Sequence, residues 1–212
     1  IAPQLLEAEV NVLLGGGENY FLPRGRQGCH PESGKREDGR DLVAEAQKTG
    51  YQTICRPEEL AALQTSAHDR LLGLFADEGM PRPFQPSLAE MTRAALDVLS
   101  RDPEGFFLMV ESGQIDWASH GNVAANAIRD TLALDEAVQI GLDFAESHTG
   151  TLLIVTADHE TGGMDVHSQP TGQTGEDGPF TGPDQFVFYV TWATDTHTNA
   201  HVPLTARGPC AD

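Results

Sequence analysis

Short apolar runs alternate with helical patterns along most of the chain. Runs typical of β-strands occupy residues 10–14, 51–55, 71–75, 105–111, 151–158, 186–193 and 202–208. Helical patterns occupy residues 3–9, 41–48, 57–64, 87–102 and 127–145. Residues 20–39 and 160–184 are rich in Gly and Pro, which predicts loops. The strand, long helix and strand between residues 105 and 158 form a βαβ pattern, which implies parallel strands within a single α/β domain over residues 1–212.

Two of the predicted strands are followed by residues of the types that bind metal ions in proteins. These residues are Glu111, Asp116 and His120 after the first strand, and Asp158 and His159 after the second. Carboxylate oxygen and imidazole nitrogen suit zinc, whereas the hard oxygen donor of Glu111 suits magnesium. Taken alone, the Asp116 and His120 spacing is also typical of a solvated helix face, and the Asp158–His159 pair could simply cap a turn. Because parallel strands end at the same edge of a sheet, the combination predicts a site for more than one metal ion.

Composition narrows the class of protein. The chain has 32 acidic and 13 basic residues, a formal net charge of −19, which argues against a general surface for nucleic acids or acidic membranes. The only lysines are Lys35 and Lys48. This acidic, lysine-poor composition suggests a protein that is soluble at high salt, with an acidic secreted enzyme as the alternative. The sequence contains no run of 18 apolar residues that would predict a membrane-spanning helix.

The three cysteines do not form a metal-binding pattern. Cys29, Cys55 and Cys210 lack the CxxC spacing of zinc sites. A bond between Cys29 and Cys55 is possible in an oxidising compartment, but the sequence leaves the state of all three cysteines open.

The segments around the predicted ligands resemble the alkaline phosphatase family. VESGQIDWASH, LDEAV and TADHETGG are similar to the family's metal-binding motifs, and HT…VPLTARGP resembles its last metal-ligand segment. VNVLLGGG and LLGLFADEGMP are similar in kind and order, so the resemblance covers nearly the whole chain. It implies a doubly wound, mostly parallel α/β fold with helices on both faces. It also implies a phosphomonoesterase that uses two zinc ions and one magnesium ion, acts on phosphate monoesters, binds inorganic phosphate, forms a homodimer, and is periplasmic or secreted.

The resemblance assigns a metal to each predicted ligand. Glu111 matches the magnesium ligand. Asp116 and His120 match two ligands of the first zinc, and Asp158 and His159 match ligands of the second.

The remaining site residues follow from the same resemblance. His197 matches the third ligand of the first zinc, and its distance from the closing RGP favours it over the alternative, His201. Trp117 follows a zinc ligand, at a position where relatives vary, and is expected to line the substrate pocket; a packing role is the alternative. Four other histidines are expected at the surface: His30, His68, His148 and His167.

The sequence departs from the family at the nucleophile. The family's nucleophilic serine lies in a D-S-A-type segment, beside a strand that ends in a G-D-G-type aspartate, and neither pattern occurs in residues 1–212. Ser112 and Ser119 do not fit the nucleophile's pattern. We therefore expect this chain to be the carboxyl-terminal part of such an enzyme, with its nucleophile upstream, its fold incomplete and a hydrophobic sheet edge exposed.

Two other interpretations stay open. Related metal-dependent phosphodiesterases and sulfatases use similar ligand sets, although SGQIDWASH and TADHETGG favour the monoesterase. The second alternative is that the chain is a non-catalytic, metal-binding fragment that assembles with another chain.

Overall fold

The first three apolar runs of the sequence form a parallel sheet. In the computed structural model, which describes residues 1–211, the strands are β1 (Val12–Gly15), β2 (Gln52–Ile54) and β3 (Leu71–Leu74). They pair in the order β1-β3-β2, and Val12 and Gln52 lie on opposite sides of Leu71. Every residue of β3 is buried, as expected for a central parallel strand that is covered on both faces.

Helices cover both faces of this sheet. They are α1 (Ala2–Glu7), α2 (Leu42–Lys48), α3 (Pro57–Ala62) and α4 (Leu88–Leu99). Leu71 belongs to a buried cluster with Met91 of α4, whereas Leu72 belongs to a second cluster with Leu42 of α2. Because successive side chains of a strand point to opposite faces, neighbouring leucines of β3 supply the two cores. The predicted α/β architecture is confirmed in this part of the chain, which forms one compact unit, Ile1–Val110.

A disulfide and a buried carboxylate hold the loop at residues 20–39. Cys29 and Cys55 are bonded, with an S–S distance of 2.06 Å, and Cys210 is exposed and free. Glu18 is only 4% exposed and accepts hydrogen bonds of 2.9 Å from the backbone N–H groups of Cys29 and His30. His30, expected at the surface, is partly buried, since its Nε2 lies 2.9 Å from the carbonyl oxygen of Leu74.

The second compact unit, Glu111–Asp212, combines two helices with short antiparallel pairings. The helices are α5 (Gln114–His120) and α6 (Ala124–Ser147). The strands are β4 (Leu153–Val155), β5 (Glu160–Thr161), β6 (Asp165–His167), β7 (Asp177–Thr181), β8 (Val187–Thr191), β9 (His197–Thr198) and β10 (Thr205–Arg207). They form the pairs β10-β4 and β5-β9 and the three-stranded sheet β6-β8-β7. Among the helices that the structure describes, none is long and apolar enough to cross a bilayer.

The predicted strand at residues 105–111 is not a strand. Residues 105–112 lack regular secondary structure, and the side chains of Phe107 and Met109 are 87% and 72% exposed. A strand needs a neighbour that satisfies its backbone groups, and no other strand in residues 1–211 pairs with this run. The expected parallel βαβ pairing is therefore absent from the described part of the chain, and β4 pairs with β10 in antiparallel orientation.

The prediction of a loop at residues 160–184 is also wrong in part. This segment contains β5, β6 and β7, which have two, three and five residues. Strands this short carry too few residues for a clear alternation of apolar and polar positions. The other predicted helices and strands are confirmed, with ends that differ by a few residues.

We expect the Cys29–Cys55 bond to stabilise the first unit. Replacing both cysteines with serine should lower the free energy of unfolding by about 2–4 kcal/mol, because the unfolded chain regains the freedom that the cross-link removed. Urea denaturation followed by circular dichroism measures this change. The matched control, Cys210→Ser, removes an exposed free thiol and should leave the stability unchanged. Equal stability of the double variant and the control would contradict the prediction.

Candidate metal centre

Helix α5 places Asp116 and His120 on the same side of one helical turn. The two residues are four positions apart, and Asp116 Oδ1 lies 3.3 Å from His120 Nε2. His120 Nδ1 lies 2.6 Å from the backbone oxygen of Asp195. A carbonyl oxygen can only accept a hydrogen bond, so Nδ1 carries a proton and Nε2 is the ring atom that faces Asp116.

The pairing of β5 with β9 brings His197 to the same point. Thr161 lies opposite His197 in this antiparallel pair. His197 Nε2 lies 3.4 Å from Asp116 Oδ1 and 3.0 Å from His120 Nε2. The possible ligand atoms of Asp116, His120 and His197 all lie within 4.8 Å of one another.

These separations fit a tetrahedral zinc ion. Ligand atoms about 2.0–2.1 Å from a tetrahedral ion stand roughly 3.3 Å apart. The three pairs formed by Asp116, His120 and His197 are separated by 3.3, 3.4 and 3.0 Å. One carboxylate and two imidazoles also form a donor set that zinc accepts, with a fourth position left for water or substrate.

The carboxylate of Glu160 holds the strand that carries His197. It accepts a hydrogen bond of 2.9 Å from the backbone N–H of Gly163 and another from the hydroxyl of Thr198. Thr198 also lies opposite Glu160 in the β5-β9 pair. A side-chain bond therefore strengthens a pairing that is only two residues long.

Gly162 fixes the loop that precedes His197. Its φ is +91°, and a Cβ at this position would lie 2.6 Å from the ring of Trp192, so the position requires glycine. The N–H of Gly162 donates to the oxygen of Thr196 at 3.0 Å, and its oxygen accepts from the N–H of Ala193 at 2.9 Å. These bonds hold both ends of the segment that presents His197.

Asp158 and His159 lie next to this group. The ring of His159 stacks on the ring of His197, with centroids 3.5 Å apart and an interplanar angle of 22°. Asp158 Oδ2 lies 3.2 Å from His159 Nε2, and the Asp158 side chain is 86% exposed. The two sets of ligands predicted after different strands are therefore neighbours.

Three other predicted site residues stand apart from these contacts. Glu111 is exposed, and its carboxylate lies beside the backbone of Gly113. Glu111 Oε1 is 3.2 Å from the position that a Cβ atom would take on that glycine. Within the residues that the structure describes, Glu111 and His201 belong to no group of three possible metal ligands, whereas His197 does. Trp117 is 60% exposed on α5, directly after Asp116.

Thr161 is a site residue that the sequence pattern did not indicate. Its hydroxyl donates a hydrogen bond of 2.7 Å to Asp116 Oδ1 and lies 3.1 Å from His159 Nδ1. Threonine is not a usual zinc ligand, so a search for ligand types passes over it. Its position two residues after His159 was the available signal.

Comparisons with known proteins agree on one family. A family model described as alkaline phosphatase matches residues 1–181. The repressible alkaline phosphatase of Saccharomyces cerevisiae is 41% identical over 180 residues, which cover 76% of this chain and 32% of the yeast protein. The alkaline phosphatase of Escherichia coli K12 is 31% identical over 244 aligned residues, which cover 100% of this chain and 50% of the relative.

A solved structure shows the same similarity. It is a variant of the TAB5 alkaline phosphatase with magnesium bound in its M3 site, with a TM-score of 0.76 and 28% identity, covering 99% of this chain and 57% of the other. The chain therefore spans between about a third and a half of the length of the two curated relatives.

We expect His197, and not His201, to be required for zinc binding. His197→Ala removes one of three converging donors, so zinc affinity should fall by more than the roughly 10–100-fold that loss of an outer-shell partner causes. His201→Ala is the matched control, because it removes an exposed histidine outside the group. Zinc titration against a chelating dye measures both variants. Weaker binding in the His201 variant alone would reverse the assignment.

Proposed function

The chain belongs to the alkaline phosphatase family, and we propose that it is the carboxyl-terminal, metal-binding part of a phosphate monoester hydrolase. The observation that carries this proposal is the convergence of Asp116, His120 and His197, whose ligand atoms lie within 4.8 Å of one another. The alkaline phosphatases of Saccharomyces cerevisiae and Escherichia coli K12 align with 76% and 100% of the chain, which supports the same activity.

Two zinc sites follow from the two sets of ligands. Asp116, His120 and His197 form the first, with separations that suit a tetrahedral ion. Asp158 and His159 contribute to the second, and the stacking of His159 on His197 supports neighbouring ions. The second set supplies two protein ligands, so its remaining positions are filled by water, by substrate or by residues beyond these two.

Glu111 is the proposed magnesium ligand. Its exposed carboxylate, three residues before the first residue of α5, offers a hard oxygen donor, which magnesium prefers. The TAB5 relative whose structure contains magnesium supports a magnesium ion in this family. Magnesium takes about six oxygen ligands, so water and other residues complete the set.

The side chains of the site prepare it for phosphoryl transfer. A pair of zinc ions would lower the pKa of an attacking hydroxyl and stabilise the departing oxygen. His120 is oriented by the bond from its Nδ1–H to the Asp195 carbonyl, so Nε2 is the ring atom that would bind the metal. Trp117, exposed beside Asp116, would line the pocket and restrict water around the phosphate. The attacking hydroxyl forms a bond to phosphorus as the ester oxygen leaves, and water then hydrolyses the phosphoserine.

We assign the attacking serine to a segment outside residues 1–212. Ser119 is 7% exposed and donates to the carbonyl oxygen of Ile115 at 2.8 Å, and Ser112 donates to the carbonyl oxygen of Asp130 at 3.3 Å. Neither hydroxyl is presented to the metal ligands. The exposure of Phe107 and Met109 supports a further segment that covers this apolar run.

The protein's environment and partners follow from the same features. The Cys29–Cys55 bond supports a periplasmic or secreted protein, because disulfides persist in oxidising compartments. The net charge of −19 supports solubility at high salt. Phosphate monoesters and inorganic phosphate are the proposed ligands, and a homodimer is the proposed assembly, as in the family.

We expect the 212-residue chain to have no phosphatase activity by itself. The proposed ligands would bind zinc, but the hydroxyls of Ser112 and Ser119 both donate to backbone carbonyl groups and are not presented to those ligands. Hydrolysis of p-nitrophenyl phosphate by the purified, zinc-loaded chain measures this directly, with Ser112→Ala and Ser119→Ala as controls for an unrecognised nucleophile. Turnover above the zinc-only blank would contradict the expectation, and its loss in either variant would place the nucleophile within this chain.

We expect Asp158→Ala to remove the second zinc and leave the first. The variant loses a carboxylate ligand of the second set, whereas Asp116, His120 and His197 are untouched. Elemental analysis after gel filtration should show the zinc content fall from about two ions per chain to about one. Asp165→Ala is the matched control, because Asp165 is an exposed acid on β6 outside both sets. Unchanged zinc in the Asp158 variant would refute the second site.

A further inference from the structure

One buried hydroxyl contacts a member of each predicted set of zinc ligands. Thr161 Oγ1 donates to Asp116 Oδ1 at 2.7 Å and lies 3.1 Å from His159 Nδ1. The residue is 9% exposed, so water competes little for these bonds. Asp116 belongs to the first set and His159 to the second.

The direction of these bonds fixes the proton on His159. A hydroxyl has one hydrogen, and a carboxylate only accepts, so the hydrogen of Thr161 goes to Asp116. The oxygen of Thr161 then accepts from Nδ1–H of His159. This tautomer leaves Nε2 with its lone pair free to bind metal, and Nε2 is the atom that lies 3.2 Å from Asp158 Oδ2.

The same hydroxyl orients the shared oxygen of the first set. Asp116 Oδ1 accepts from Thr161 and is also the atom closest to the two imidazoles, 3.3 Å from His120 Nε2 and 3.4 Å from His197 Nε2. Thr161 is itself held opposite His197 by the β5-β9 pair. One backbone pairing therefore sets the positions of both the third ligand and the hydroxyl that orients Asp116.

We propose that Thr161 is a positioning residue that orients ligands of both zinc sites at once, an inference that rests on the proposed two-zinc function. Loss of its hydroxyl would remove the hydrogen bond that orients the carboxylate of Asp116 in the first site. It would also remove the acceptor for Nδ1–H of His159 in the second site. A side chain that served only to fill space would be replaced by valine, of nearly the same shape, without effect on metal binding.

Thr161→Val and Thr161→Ser test this role by separating shape from hydrogen bonding. Zinc affinity is measured with a competing chelating dye on the 212-residue chain, and Co²⁺ absorption reports the geometry of the bound ion. Asp158→Ala isolates the first site, and His197→Ala isolates the second. Thr161→Val should weaken zinc about 10–100-fold at each site and change the Co²⁺ spectrum. Thr161→Ser should stay close to the unsubstituted chain.

The controls make each outcome decisive. Thr205→Val makes the same chemical change at an exposed position of β10 and should not alter zinc affinity. If Thr161→Val does not fold by circular dichroism, Thr161→Ala replaces it. Unchanged affinity, equal losses with Val and Ser, or a loss at one site only would overturn the positioning role while the zinc sites stand. Failure of the unsubstituted chain to bind zinc would instead overturn the proposed function and this inference with it.

Discussion

The site depends on one carboxylate oxygen that three segments of the chain reach together. Asp116 Oδ1 lies within 3.4 Å of the Nε2 atoms of His120 and His197 and accepts from the hydroxyl of Thr161 at 2.7 Å. These residues come from α5, β5 and β9, up to 81 positions apart (116 to 197). Because the imidazoles already stand about as far apart as the ligands of a tetrahedral ion, little rearrangement is needed when a metal binds. The backbone geometry of the fold therefore places these side chains close to the positions that a bound metal ion would need.

That backbone geometry is itself supported by side chains. A two-residue pairing such as β5-β9 is weak on its own, because each strand contributes few backbone bonds. Glu160 adds bonds to Gly163 and Thr198, and the contact between Gly162 and Trp192 leaves no room for a larger residue. The residues that follow the proposed ligands in the TADHETGG segment therefore support the geometry of the site, although they are not ligands themselves. A substitution there would move His197 without touching a metal ligand.

Spacing along the sequence indicates the local parts of this site, whereas the parts that depend on distant contacts were found by family resemblance or were missed. The four-residue spacing of Asp116 and His120 was sufficient to place both on α5, because helical geometry is local. Motif resemblance favours His197 over His201, and His197 is the one of the two that lies beside Asp116 and His120; its role as a zinc ligand stays a prediction. The run at 105–111 was expected to be a strand because it is apolar, but a strand forms only with a partner. Thr161 was missed because its hydroxyl donates to Asp116, 45 positions earlier in the chain, and no spacing rule describes that contact.

Metal binding and phosphoryl transfer place different demands on the arrangement of the side chains. Three ligands of the first site lie in one compact unit and are oriented by residues of that same unit. A zinc ion bound there would gain its affinity from Asp116, His120 and His197 without help from a nucleophile. Phosphoryl transfer has a stricter requirement, since an attacking oxygen must lie in line with the bond that breaks. The hydroxyls of Ser112 and Ser119 are both committed to backbone carbonyls. The contacts of the described residues meet the demands of metal binding alone, which is why the proposed function places the attacking hydroxyl in another segment.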